Sequence, residues 1–224
     1  MLIHLLPILI TGAFALAIIF ERTLALYWKY PLDTRRFIAE IRQRILNNDI
    51  AAAVQFCSSQ EKALAASVVK AGLLRAARDN EQIENALEIV SHEAMNTAKK
   101  RLAYLSMIAN VATLLGLLGT ILGLIKAFAA VATVDAATKS MMLSEGISQS
   151  MNATASGLAV AIPTMIAFSI LQSKANRIIE SIESCAMLTM DLLSGRVYRE
   201  EFDDLGNRKD QVPPGVNFSD KKAA

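Results

Sequence analysis

The chain has 224 residues, 53% of them hydrophobic and 20% charged, with a net charge of +2 and a mean hydropathy of +0.36. That balance is too apolar for an ordinary water-soluble domain and too charged for a chain lying wholly in lipid, so a membrane protein with a substantial aqueous part is expected. Near-neutral charge gives no support for nucleic-acid binding, and two cysteines without a CxxC spacing or a Cys/His cluster give none for a metal site.

The first apolar run, LLPILITGAFALAIIF (Leu5 to Phe20), places a transmembrane helix in residues 1–22. Ala15 and Ala17 would suit a signal-peptide cleavage site, but no basic residue precedes the run, whereas Arg22, Lys29, Arg35 and Arg36 follow it. A retained span with its amino end outside and its carboxyl end in the cytoplasm is therefore expected. Residues 23–101 read as a cytoplasmic helical region. DTRRFIAEIRQRILNND opens on an N-cap candidate, Asp33 or Thr34, and sets Phe37, Ile38, Ile41 and Ile45 on one face. Further on, Ile83, Leu87, Val90 and Ala94 form a narrow stripe suited to packing against other helices of an assembly. No turn signal separates that segment from the next apolar run, so one continuous helix is expected to rise into the membrane. Cys57 and Cys185 are expected to be buried reduced thiols. His92 sits among charged residues and shares no site with His4.

Between Arg101 and Lys126 there is no Asp, Glu, Lys, Arg or His, and a second span is assigned to residues 102–127. Its core, LLGLLGTILGLIKAF, carries Gly116, Gly119 and Gly123 along one side of a helix with Thr120 beside them. Glycine disfavours a helix interior by roughly 1 kcal/mol per residue, so close backbone approach, as in small-xxx-small packing, is the reason expected for three of them. Residues 128–145 read as a short periplasmic loop and 146–173 as the third span, also free of charge until Lys174. Its charge-free length of roughly 42 Å exceeds the hydrocarbon thickness, and Pro163 is placed to kink it. Residues 174–224 read as a cytoplasmic helix and flexible tail, ending in the Pro/Gly-rich DQVPPGVNFSDKKAA. Thirteen Lys and Arg lie from Arg22 to Arg101 and eight from Lys174 onward, with only Lys126 and Lys139 between, which sets the topology.

Polarity within the third span stands out. Ser148, Asn152 and Ser156 recur every four residues with Gln149 beside them, while Thr154 falls on a side made of small residues, Ser150, Gly157 and Ala161. Hydroxyls can bond back to a carbonyl one turn earlier, but the amides of Asn152 and Gln149 need further partners in hydrocarbon. The glycine side of the second span and the small-residue side of the third can each bury backbone against a neighbouring copy, which suits a closed ring. Neither charge-free stretch, between Arg101 and Lys126 or between Glu145 and Lys174, holds an Asp, Glu, Lys, Arg or His, so in a proton path the titrating group must come from another chain. GLLGTILG lacks the strand and lysine of a phosphate loop, and no catalytic constellation is present. Neither an enzyme nor a cofactor is expected.

RLAYLSMIANVATLLGLLGTILGLIKAF (Arg101 to Phe128) and GISQSMNATASGLAVAIPTMIAF (Gly146 to Phe168) resemble the MotA/TolQ/ExbB proton-channel family, nearest its TolQ/ExbB branch. FERTLAL after the first span is similar to that branch's Glu-Arg signature. The resemblance implies an all-α bacterial inner-membrane protein with three transmembrane helices and long cytoplasmic extensions. It implies a homo-oligomeric ring, typically a pentamer, around the single transmembrane helices of two ExbD/TolR-like partners, whose membrane aspartate carries the proton. It further implies a TonB/TolA-like or motility component as the recipient of the work. Two pore-facing threonines are implied at Thr120 and Thr154. Two departures are Gln149, where many members have glutamate, and Thr113, where they have proline; Glu145, one turn earlier, is a stand-in for the lost carboxylate or a partner for Lys126.

Overall fold

The computed structural model describes residues 2–30, 32–132 and 135–209. Among these there is no strand. The elements are α1 (Leu2–Leu24), a π-helical turn (Ala25–Lys29), α2 (Thr34–Leu46), α3 (Ile50–Ser59), α4 (Leu64–Leu73), α5 (Asn80–Lys99), α6 (Leu102–Val131) and α7 (Ala136–Lys209). Three stretches are long and apolar enough to cross a membrane, namely Leu6–Trp28 and those containing α6 and α7. The Pro/Gly-rich tail expected to be flexible lies outside the described residues, as does the side chain of His4.

The chain divides into two compact units, one of residues 1–31 with 93–181, the other of residues 32–92 with 182–224. The first holds the apolar helices. Here Gly12 of α1 lies against the side chain of Val160 in α7, and α1 also packs on α6. The π-helical turn leaves Trp28 84% exposed and Leu26 buried, while the Lys174 ammonium sits 5.1 Å from the centre of the Tyr27 ring. Aromatic rings and a lysine at one level are what a membrane–water interface favours.

The second unit is built from short amphipathic helices. Asp33 caps α2 by accepting from the Arg36 N–H, and Asp49 caps α3 by accepting from the Ala52 N–H at 2.9 Å. Phe37, Ile41 and Ile45 are buried, and Phe37 stacks on Phe56 with ring centres 5.6 Å apart. The part of the α5 stripe in this unit is buried within the chain itself at Ile83 and Leu87, with Leu87 filling the space over Gly72. Cys57 and Cys185 are fully buried free thiols, and burial pushes both pKa values up to about 11.

Two sequence expectations need correction. The helix does not run unbroken from α5 into α6: Arg101 adopts a left-handed conformation with φ of 63°, ending one helix and starting the next. And α6 continues to Val131 while α7 begins at Ala136, so most of the stretch read as a loop over 128–145 is helical. The alanine-rich run AFAAVA favours helix even where hydropathy falls. Asp135 then starts α7, its carbonyl accepting from both the N–H and the hydroxyl of Thr138.

Candidate functional site between α6 and α7

The question posed by three glycines in an apolar helix is answered by α7. An ideal Cβ on Gly157 would lie 2.7 Å from the Ala112 carbonyl oxygen and 2.9 Å from the Gly116 Cα. One on Gly119 would lie 2.7 Å from the Ala153 Cβ, and one on Gly123 would overlap the Ser150 hydroxyl. Ala127 meets Gly146 in the same way at the far end. The glycine side of α6 and the small-residue side of α7 therefore pack on each other within one chain, not on neighbouring copies as the spacing alone suggested. Contact at this range is available only to residues without bulk, and in lipid such van der Waals packing holds helices together.

That seam divides the sequence-predicted residues into two sets. On one side, Glu145, Gln149, Asn152 and Ser156 join Lys126 along a groove of about 620 Å³ floored by Gly119, Gly123 and Ala153. On the other side lie the threonines. At about 100° per residue, Asn152 and Thr154 flank the buried Ala153 in opposite senses, and Thr154 does not line the groove. Pro163 is an exposed position of α7. Beside it, the buried Thr164 donates to the Val160 carbonyl at 2.7 Å.

The hydroxyls separate by partner. Ser150 donates to the Gly146 carbonyl at 2.8 Å, Ser156 to that of Asn152 at 2.8 Å, and Thr120 to that of Leu117 at 2.6 Å, each within its own helix. Thr154 instead crosses between helices, donating to the Gly116 carbonyl of α6 at 3.2 Å. The regular α-helical pattern also directs the Thr120 N–H to that carbonyl, so both threonines meet at one backbone oxygen. A hydroxyl whose hydrogen is engaged in this way keeps its lone pairs free to accept a further hydrogen bond.

At the other end of α6, the Glu-Arg pair noticed in FERTLAL acquires a structural role. Arg22 is 2% exposed, and its guanidinium donates to the Ala98 carbonyl and, at 3.4 Å, to that of Thr97. These are last-turn carbonyls of α5, at the negative end of that helix. Glu21 forms an ion pair with Arg101, the left-handed residue at the break. Sequence reasoning missed this clamp, because no glycine, proline or asparagine marks the break.

Comparison with known proteins decides the family. The profile described as the MotA/TolQ/ExbB proton channel family matches residues 58–184. The chain belongs to this family. It is 34% identical over 100 residues to biopolymer transport protein exbB1 of Vibrio cholerae, covering 45% of the chain and 44% of that protein. It is 32% identical over 93 residues to the Tol-Pal system protein TolQ of Haemophilus influenzae, covering 42% and 40%. An ExbB-like biopolymer transport protein of Synechocystis is 28% identical over 169 residues, covering 75% and 79%. The chain thus spans less than half the length of the first two relatives. Family membership and three apolar helices of spanning length make it a bacterial inner-membrane protein of the TolQ/ExbB-like kind.

Proposed function

We propose that this protein is the ring-forming subunit of an ion-driven envelope motor. Five copies surround the single transmembrane helices of two ExbD/TolR-like partners, and protons pass along the interface between ring and partner. The amino terminus is periplasmic and the carboxyl terminus cytoplasmic. The work is delivered to a TonB/TolA-like or motility component, in uptake, envelope maintenance or gliding. Support comes from the family and from the absence of any Asp, Glu, Lys, Arg or His between Arg101 and Lys126 or between Glu145 and Lys174, so the titrating acid is assigned to the partner.

The observation that carries the reading is the Thr154 hydroxyl, held between helices at the Gly116 carbonyl next to Thr120. With its hydrogen directed to that carbonyl, Thr154 accepts from a protonated carboxyl; turned away, it donates to the carboxylate. Either state of the partner's acid is thereby matched by one rotation about a single bond. Gln149 and Asn152, on the groove side of the seam, can bind water near Glu145 and Lys126 without titrating. Each proton crossing 100 mV releases about 2.3 kcal/mol from the electrical term, so several crossings are coupled to one substantial displacement.

The rival is a membrane scaffold that organises helices without conducting. Thr154→Val separates the two. It keeps shape and removes the hydroxyl, and the Gly116 carbonyl retains its helical bond, so loss of this crossing bond lowers stability by only about 0.6 kcal/mol. Rings should assemble normally while proton-dependent work is lost, and Thr154→Ser should retain much of it. An assembled Thr154→Val ring driving work at the normal rate would favour the scaffold.

A further inference from the structure

The second unit carries a groove whose acidic lining differs in chemistry from the α6–α7 seam. It lies between α5 and the C-terminal part of α7 and has a volume of about 630 Å³. Leu87, Met187 and Met190 supply an apolar lining, with Met187 70% exposed. Glu84, Glu88 and Asp191 line it as well, and none of the three has an ion pair among the described residues. No basic side chain lines it. Ser91 is buried in its wall, and the Ser91 hydroxyl oxygen has no hydrogen-bond partner among the described residues. A buried, unpartnered hydroxyl beside unpaired carboxylates is an arrangement that a basic occupant would complete.

The same unit displays the complementary surface. Arg36 and Arg44 of α2 are engaged by Asp33 and Glu40, but Arg35 and Arg42 are exposed and unpaired among the described residues. At 100° per residue they share the outer face of α2 with Ala39 and with Leu46, which is 55% exposed. Arg35 and Arg42 lie about 10.5 Å apart along the axis, so they span the α5 side of the groove from Glu84 to the unpartnered hydroxyl of Ser91, with Glu88 between. An amphipathic helix laid into a two-helix groove, with anchors three, four and seven apart, is an established mode of protein recognition.

We infer that the groove between α5 and α7 receives α2 of a second copy of this chain, Arg35 and Arg42 meeting Glu84, Glu88 and Asp191 while Leu46 covers the methionines. The two surfaces differ, so the contact is head-to-tail. Repeated around an axis it closes a ring, and each copy uses one groove and one α2. The inference rests on the ring proposed above and names the surfaces that close it.

The test is cross-linking of the full chain in native membranes. Ala39→Cys and Met187→Cys are placed in one chain, leaving every charge intact, and a short bis-maleimide is added. The native cysteines are buried and stay silent. Expected are bands at multiples of the chain mass, which fall to background in Glu88→Arg and in Arg42→Glu and return when both changes are combined. Rings intact by native mass spectrometry but without these bands would overturn the groove assignment while leaving the ring. Monomers alone, before any cross-linker, would overturn the ring itself and the inference with it. Cross-linking of Met187→Cys to Lys221→Cys in the same chain, instead of to Ala39→Cys, would assign the groove to the protein's own tail and overturn the contact between copies.

Discussion

Arg22 is a charge buried in a membrane-facing unit, and its surroundings explain why it is tolerated. The last carbonyls of α5 carry the negative end of the helix dipole, and the guanidinium donates to two of them. Both bonds come from one terminal nitrogen, held there by the planar guanidinium, whereas a lysine ammonium is a compact, strongly hydrated point charge on a flexible stem. Arg22→Gln should therefore destabilise the protein by about 1.5 to 3 kcal/mol, the range for hydrogen bonds to a charged group, with Arg22→Lys in between. Arg101 is a different case. Its left-handed backbone is disfavoured by roughly 1 kcal/mol for a residue with a side chain, and the ion pair it makes with Glu21 is half-exposed. In Arg101→Gly the relief of strain offsets the lost pair, leaving a net change within about 1 kcal/mol. Thermal unfolding of the detergent-solubilised variants would check both. Equal losses at the two positions would contradict the clamp as drawn here.

The α6–α7 seam is the element whose packing depends most on missing side chains. Gly157 and Gly116 meet backbone to backbone, so an added methyl at Gly157 has no flexible neighbour to displace. Gly157→Ala should lower stability by about 1 to 3 kcal/mol. Gly195→Ala, with nothing within 4 Å of the added carbon, should leave it unchanged or slightly raised through helix propensity. Melting temperatures of the two purified variants give the comparison. The face that packs was legible in the spacing of Gly116, Gly119 and Gly123, because helical periodicity fixes which residues share a side. The partner was not legible, since the same spacing serves a helix of the same chain or of another. The stripe of Ser148, Asn152 and Ser156 with Gln149 beside it was likewise readable, as was Thr154 on another side, but only the packed helices show that Ser148 does not line the groove and that Thr154 bonds across the seam. The break at Arg101 left no trace in residue type, because it is held by Glu21 and Arg22 from far along the chain.

For the whole molecule, the open statement is orientation, and the buried thiols make it measurable. Thirteen Lys and Arg from Arg22 to Arg101 and eight from Lys174 onward, against two between, are the basis of the orientation proposed above, with residues 23–101 and 174–224 in the cytoplasm and the α6–α7 connection outside. Labelling with a membrane-impermeant maleimide ordinarily suffers from native cysteines. Here burial raises the pKa of Cys57 and Cys185 to about 11, which favours the protonated thiol. At pH 8 only about 0.1% of each is thiolate, and the background would grow only as pH rises toward 11. Lys139 and Arg78 are both exposed positions. A Lys139→Cys variant should label in intact spheroplasts, whereas Arg78→Cys should label only after the membrane is opened. The reverse pattern would invert the topology. It would also set the proposed docking of α2 into its groove on the periplasmic side.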